Sequence, residues 1–141
     1  MIHVQAVFSP DQSTRCALPI FLGRLPAGFP SPADDYAEGK LDLNKHLIKH
    51  PAATFFVRVT GDSMIEAGIH SGDLLVVDRS LEAVDGNVIV AALDGELVCK
   101  RFENRETVRL LPANRKYAPI EIQDGQDFSI WGVVTNVIHA L

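Results

Sequence analysis

Two residues stand where their types and surroundings could do chemistry together. Ser63 is presented on a glycine turn, Gly61-Asp62-Ser63-Met64, and Lys100 sits among apolar neighbours in Leu97-Val98-Cys99-Lys100-Arg101-Phe102. The β-branched and aromatic run Phe55-Phe56-Val57-Arg58-Val59-Thr60 stops at Gly61, which predicts a strand ending in a tight turn. Glycine permits there a backbone geometry, and a close approach of another chain, that a side chain would forbid. A serine on such a turn exposes its hydroxyl and can aim its own amide at a substrate carbonyl. Most turn serines do no chemistry, so Ser63 needs a base.

Strand side chains alternate between faces, so Val98, Lys100 and Phe102 share one face while Cys99 and Arg101 share the other. Lys100 then lies on what reads as the core side. Desolvation disfavours an ammonium and can lower a lysine pKa from about 10.4 by several units. A neutral lysine can accept the proton of a serine hydroxyl, in place of the histidine of a triad. The same pattern also fits a lysine whose stem packs while its head reaches water. Residue pattern alone leaves both open. Cys99 points away from Lys100 by alternation and reads as a packing residue rather than a nucleophile.

The five histidines offer no better base, because none has a recognisable partner spacing. His46 and His50 are spaced i, i+4 on a helix predicted to start at an Asp42 N-cap, with Leu43, Leu47 and Ile48 as its apolar stripe and Pro51 as its stop. The metalloprotease pattern requires glutamate after the first histidine, and that position is Leu47. These histidines are expected to be exposed polar positions, and no metal or other cofactor is expected.

The elements that must position Ser63 and Lys100 follow from residue 54 onward. Strand-like runs recur between turn signals at 54–60, 74–77, 87–93, 96–102, 107–111, 120–123 and 128–138. Asp94-Gly95 between two of them is a strong two-residue hairpin signal. Short strands without a long amphipathic helix predict a mainly β barrel or sandwich. Residues 1–33 read differently, as an extended and loosely held arm, since Pro10, Pro19, Pro26, Pro30 and Pro32 fall there and only three prolines follow. Two apolar stretches of that arm, 17–22 and 25–29, could lie in a groove. A short helix starting at Ser31 or Asp34-Asp35 is expected to run through Tyr36 and Glu38 and stop at Gly39.

Bulk properties narrow the function classes. A chain of 141 residues that is 47% hydrophobic has room for one domain with a real core. It has no apolar run near the roughly 20 residues needed to span a bilayer, and its start makes a poor signal peptide. Cys16 and Cys99 cannot supply a disulfide framework or a four-ligand zinc site alone, so a reduced, cytoplasmic protein is expected. The formal charge is −5; Arg15 and Arg24 against Asp11 make residues 1–27 weakly basic and leave the rest at −6. An acidic body argues against extensive direct DNA binding, which needs clustered cations. Charge alone does not exclude a local basic patch, for instance around Arg101, Arg105 and Arg109.

These motifs together resemble the LexA/UmuD family of self-cleaving Ser–Lys peptidases. The resemblance is carried by Gly61-Asp62-Ser63-Met64, by Gly72-Asp73-Leu74-Leu75-Val76-Val77-Asp78, and by Asp94-Gly95-Glu96 leading to Lys100. Ala27-Gly28-Phe29-Pro30-Ser31-Pro32-Ala33-Asp34-Asp35-Tyr36, Asp42-Leu43-Asn44, His50-Pro51 and Gly132-Val133-Val134 are similar to the UmuD branch, over roughly residues 21–141. The repressors of the family carry a helix-turn-helix domain before the scissile bond, and 27 proline-punctuated residues cannot house one.

The resemblance implies a compact LexA-like and signal-peptidase-like β domain (a β-clip), residues 28–141, behind an N-terminal arm, residues 1–27, removed by self-cleavage. It implies Ser63 as nucleophile, Lys100 as general base and Ala27-Gly28 as the bond cut. The Ser63 amide, with that of Asp62 or Met64, would form the oxyanion hole. It further implies induction by DNA damage and cleavage assisted by a RecA–single-stranded DNA filament. The processed homodimer would join a UmuC-like subunit in error-prone translesion synthesis, without sequence-specific DNA binding or membrane association. The competing readings are an inactive regulatory binding subunit, a repressor relative, and a signal-peptidase-like enzyme acting on other chains.

Overall fold

The computed structural model describes residues 2–11, 17–21 and 37–141. The chain divides into two compact units, one formed by Met1–Pro10 with His50–Leu141 and the other by Asp11–Lys49.

The first strand, β1 (His3–Phe8), belongs to the larger unit. The smaller unit holds β2 (Ala17–Phe21) paired antiparallel with β3 (Ala37–Asp42), then α1 (Leu43–Leu47). The Asp42 carboxylate accepts from the Asn44 amide at 3.0 Å, the N-cap that its residue type predicts. In the larger unit follow β4 (Thr54–Thr60), β5 (Leu74–Asp78), β6 (Val88–Leu93), β7 (Glu96–Asn104), β8 (Val108–Leu111), β9 (Ile120–Glu121) and β10 (Phe128–Ile138). All seven strands expected after residue 54 form. With β1 they make one antiparallel sheet in the order β1-β4-β5-β10-β6-β7-β8-β9, curled into a half-barrel.

One turn and one strand glycine show why the sequence folds so locally. Asp94 and Gly95 both take positive φ, 50° and 84°, the left-handed pair that a two-residue hairpin between right-twisted strands requires. Gly132 in β10 lies so close to β5 that a Cβ there would stand 2.8 Å from Val77 Cγ1 and 2.9 Å from the Asp78 carbonyl oxygen. Neither contact would tolerate a side chain.

The curl leaves apolar clusters on both sides of β7. Ile2, Phe55, Val57, Val59, Met64, Ile69, Leu75, Val77, Val90 and Cys99 form one. Ile89, Ala91, Val98, Phe102, Leu110 and Val133 form the other. Alternation separates Cys99 from Lys100 as expected, but the Cys99 face is core as well, because the sheet wraps back on itself.

Three expectations are corrected. Residues 3–8 are not part of a loosely held arm but a paired strand: the stretch before Pro10 is free of proline, and Ile2 and Val4 pack on the core. The short helix expected through Glu38 meets β3 at Ala37–Gly39, so a strand stands where its last turn was placed. The helix after Asp42 stops at Leu47, with Ile48 already extended, so His50 lies beyond it. The Ala27-Gly28 bond falls outside the described residues.

Candidate functional site

Ser63 lies on the turn that follows β4 and Lys100 lies on β7, two strands that do not pair with each other. Val57 and Val59 anchor the end of β4 in the core, and Gly61, at φ 98°, turns the chain directly before the serine. The segment after β8 holds that turn from the far side. Ala113 donates its amide to the Ser63 carbonyl at 2.8 Å and accepts from the Glu66 amide at 2.8 Å. The Asn114 side chain donates to the Asp62 carbonyl at 2.8 Å, and Tyr117 Oη donates to Asp62 Oδ1 at 2.5 Å. That hydrogen bond holds the Asp62 carboxyl below its ordinary value, and it raises Tyr117 above its own.

Lys100 is fixed by β6, across which it pairs with Ile89. Its side chain is 2% exposed and Ser63 is fully buried, with Nζ 3.0 Å from Ser63 Oγ. The lysine head therefore does not reach water, and the snorkelling alternative is excluded. Among the described residues no carboxylate pairs with it; the nearest aromatic face is Tyr117, 6.0 Å from Nζ to the ring centroid. Burial pushes the ammonium below its ordinary 10.5. Burial raises Cys99 to about 12, so it is a thiol at neutral pH and not a nucleophile. A buried hydroxyl within hydrogen-bond reach of an amine inclined to be neutral is a pair that can move a proton.

A family model described as Peptidase S24-like matches residues 19–135, a span that includes both side chains. The chain belongs to that family. Its relatives include protein SamA of Salmonella typhimurium, 50% identical over 92% of this chain and 89% of the relative. Protein MucA of Escherichia coli is 44% identical over 92% of this chain and 90% of its own length. LexA repressor 1 of Xanthomonas axonopodis is 46% identical over 87% of this chain but only 61% of the repressor. The chain is thus a UmuD-like S24 protein of self-cleaving serine peptidase type, similar in length to SamA and MucA.

The remaining predicted positions distribute as follows in this S24 chain. Met64 is buried in the core next to Ser63, while Asp62 lies under Asn114 and Tyr117. Among the described residues neither the Ser63 nor the Met64 amide donates a hydrogen bond. His50, separated from the helix that carries His46, is hydrogen-bonded through Nδ1 to Asp78 Oδ2 at 2.5 Å. Arg105 and Arg109 both face Glu103, so the basic patch that charge left open is interleaved with acid.

Sequence reading missed two features. Asn114 and Tyr117 lie 52 and 55 residues from Asp62, and nothing in their local sequence marks them. A second group, His70, Asp73 and His139, gathers its ligand-type atoms within 4.8 Å. It is satisfied without a cation: Asp73 accepts from the His70 amide at 2.8 Å and pairs with His139 Nδ1 at 2.5 Å. It acts as a clasp that ties the chain after β10 to the turn before β5. Among the described residues no helix is long and apolar enough to cross a membrane.

Proposed function

We propose that this UmuD-like protein of SOS mutagenesis cleaves itself between Ala27 and Gly28, with Ser63 as nucleophile and Lys100 as general base. The observation that carries this reading is the 3.0 Å approach of Lys100 Nζ to Ser63 Oγ in a site with almost no solvent. Neutral Lys100 takes the hydroxyl proton as Oγ attacks the Ala27 carbonyl carbon. The oxyanion is met by the Ser63 amide together with that of Met64, the neighbour whose amide has no acceptor among the described residues. Collapse breaks the Ala27–Gly28 bond, and the Lys100 ammonium returns its proton to the Gly28 amine. Water activated by the same lysine then hydrolyses the ester between Ala27 and Ser63, restoring both groups.

Small residues suit this bond because an extended segment must lie flat against a glycine-terminated turn. A RecA–single-stranded DNA filament assists the cut, and the processed chain, residues 28–141, works as a homodimer with a UmuC-like polymerase subunit in the cytoplasm. The acidic body fits a protein that reaches DNA through partners.

The test is incubation of the purified chain at alkaline pH, followed by mass spectrometry. Loss of residues 1–27, accelerated by the filament and abolished in Ser63→Ala and in Lys100→Ala, is the expected result. A wild-type chain left intact under both conditions would overturn the reading.

A further inference from the structure

The nucleophile position is already occupied, by Ile2, the residue that leads into the protein's own first strand. Ile2 donates its backbone amide to Ser63 Oγ at 2.8 Å, on the same oxygen that Lys100 Nζ reaches at 3.0 Å. Its side chain is fully buried in the cluster that contains Met64, Ile69 and Cys99. From there β1 runs antiparallel along the free edge of β4, with His3 opposite Thr60, Val4 opposite Val59 and Phe8 opposite Phe56. This edge leads directly into the turn that carries Ser63. β1 therefore binds as a peptide strand binds to a sheet edge, with main-chain pairing for affinity and one buried side chain as anchor.

Two consequences follow from elementary chemistry. A hydroxyl oxygen that accepts from an amide has committed a lone pair needed for attack on a carbonyl. A cleft filled by the Ile2 backbone and side chain has no room for a second extended segment over the same atoms. We propose that residues 2–8 are a self-supplied competitive ligand of the peptidase cleft, and that β1 must leave β4 and Ser63 before the arm's own scissile segment can enter. This proposal rests on the peptidase reading above, and it adds an order of events: two stretches of one N-terminal arm compete for one site. The cleavage rate then scales with the fraction of molecules whose β1 is undocked. An activator would work by raising that fraction.

The decisive experiment fixes β1 in place. His3 and Thr60 are opposed in register on the exposed face of the pair, and opposed residues of antiparallel strands lie within disulfide reach. In a Cys16→Ser background the double variant His3→Cys, Thr60→Cys is oxidised, verified by mass, and followed for alkaline self-cleavage with and without reductant. The locked chain should cleave at least about tenfold more slowly than the same chain reduced, and Ile2→Asp, which puts a carboxylate in the apolar pocket, should cleave about tenfold faster than wild type. A locked chain that cleaves as fast as its reduced form, or an Ile2→Asp chain no faster than wild type, overturns the proposal and leaves the peptidase reading standing. Should the wild type never cleave, the peptidase reading fails. Hydrogen exchange of the untreated protein then judges the docking itself: protected amides over residues 3–8 support it, and amides exchanging at the rate of an unpaired segment overturn it.

Discussion

Tyr117 reaches back across 55 residues to donate its hydroxyl to the Asp62 carboxylate at 2.5 Å, one position before Ser63. The same ring stands 6.0 Å from Lys100 Nζ. One side chain thus touches the turn that carries the hydroxyl and flanks the amine that meets it. Tyr117→Phe keeps the ring and removes the donor. Self-cleavage should slow by a few-fold while the alkaline half-point of the rate profile stays put, since Lys100 keeps its burial. A gel time course over a pH series checks both. A shifted half-point would mean that the hydroxyl acts on the lysine and not on the turn.

The pH profile itself follows from Lys100. Its pKa lies below 10.5 because burial penalises the ammonium, so the neutral amine is gained on the alkaline side at a lower pH than for a free lysine. The cleavage rate should rise with pH and level off before 10.5. Lys100→Arg should be inactive throughout, because a guanidinium stays charged and cannot accept the proton.

Stability should move the opposite way from activity in Lys100→Met. A buried lysine that meets no carboxylate among the described residues carries a desolvation cost that an apolar side chain of similar length does not, so Lys100→Met should be more stable by roughly 1–3 kcal/mol near neutral pH. The folded pKa is depressed, so below it both states are protonated and the cost is paid in full. As pH rises from the folded value toward 10.5, the unfolded state binds more protons, and wild-type stability gains relative to the variant. Urea titrations of both proteins at neutral and alkaline pH measure that narrowing gap. A gap that does not narrow would place the lysine in a better solvated setting than its burial indicates.

How much of this was written in the sequence depends on whether a feature is local. The turn at Gly61, the Asp94-Gly95 hairpin and the Asp42 cap each declare themselves within four residues, and each forms. Lys100 was legible because alternation places it between Val98 and Phe102. β1 was not, because the prolines of residues 10–32 colour the whole N-terminal region as an arm, although His3–Phe8 contains none. Its partner, the edge of β4, is a property of the folded sheet. Asn114 and Tyr117 escaped for the same reason: their role exists only once β8 and β9 bring that segment beneath Asp62.

Gly132 tests the closure of the sheet. Alanine there would bring a Cβ to 2.8 Å from Val77 Cγ1 and 2.9 Å from the Asp78 carbonyl oxygen. The second neighbour is backbone in a central strand pair and cannot swing away, so β10 must shift from β5. Gly132→Ala should cost about 1–3 kcal/mol by overpacking, read as a lower urea midpoint with an unchanged slope.

Asp73 governs the acid side. Burial alone would raise its carboxyl, but hydrogen bonds from the His70 amide and from His139 outweigh that and leave it below 3.8. A carboxylate with a depressed folded pKa contributes stability that is complete above its unfolded value and is lost as pH falls through the folded one. Asp73→Asn keeps the shape and removes the charge, so at neutral pH it should cost roughly 1–2 kcal/mol, the lower part of the range for charged hydrogen bonds because His139 is 44% exposed. Below 3.8 the wild type should lose this advantage progressively and converge on the variant. Chemical denaturation of both proteins in steps from neutral pH into that range measures the convergence. An advantage that persists to the lowest pH would show that Asp73 acts by shape, with the amide serving the His70 turn and the chain after β10 equally well.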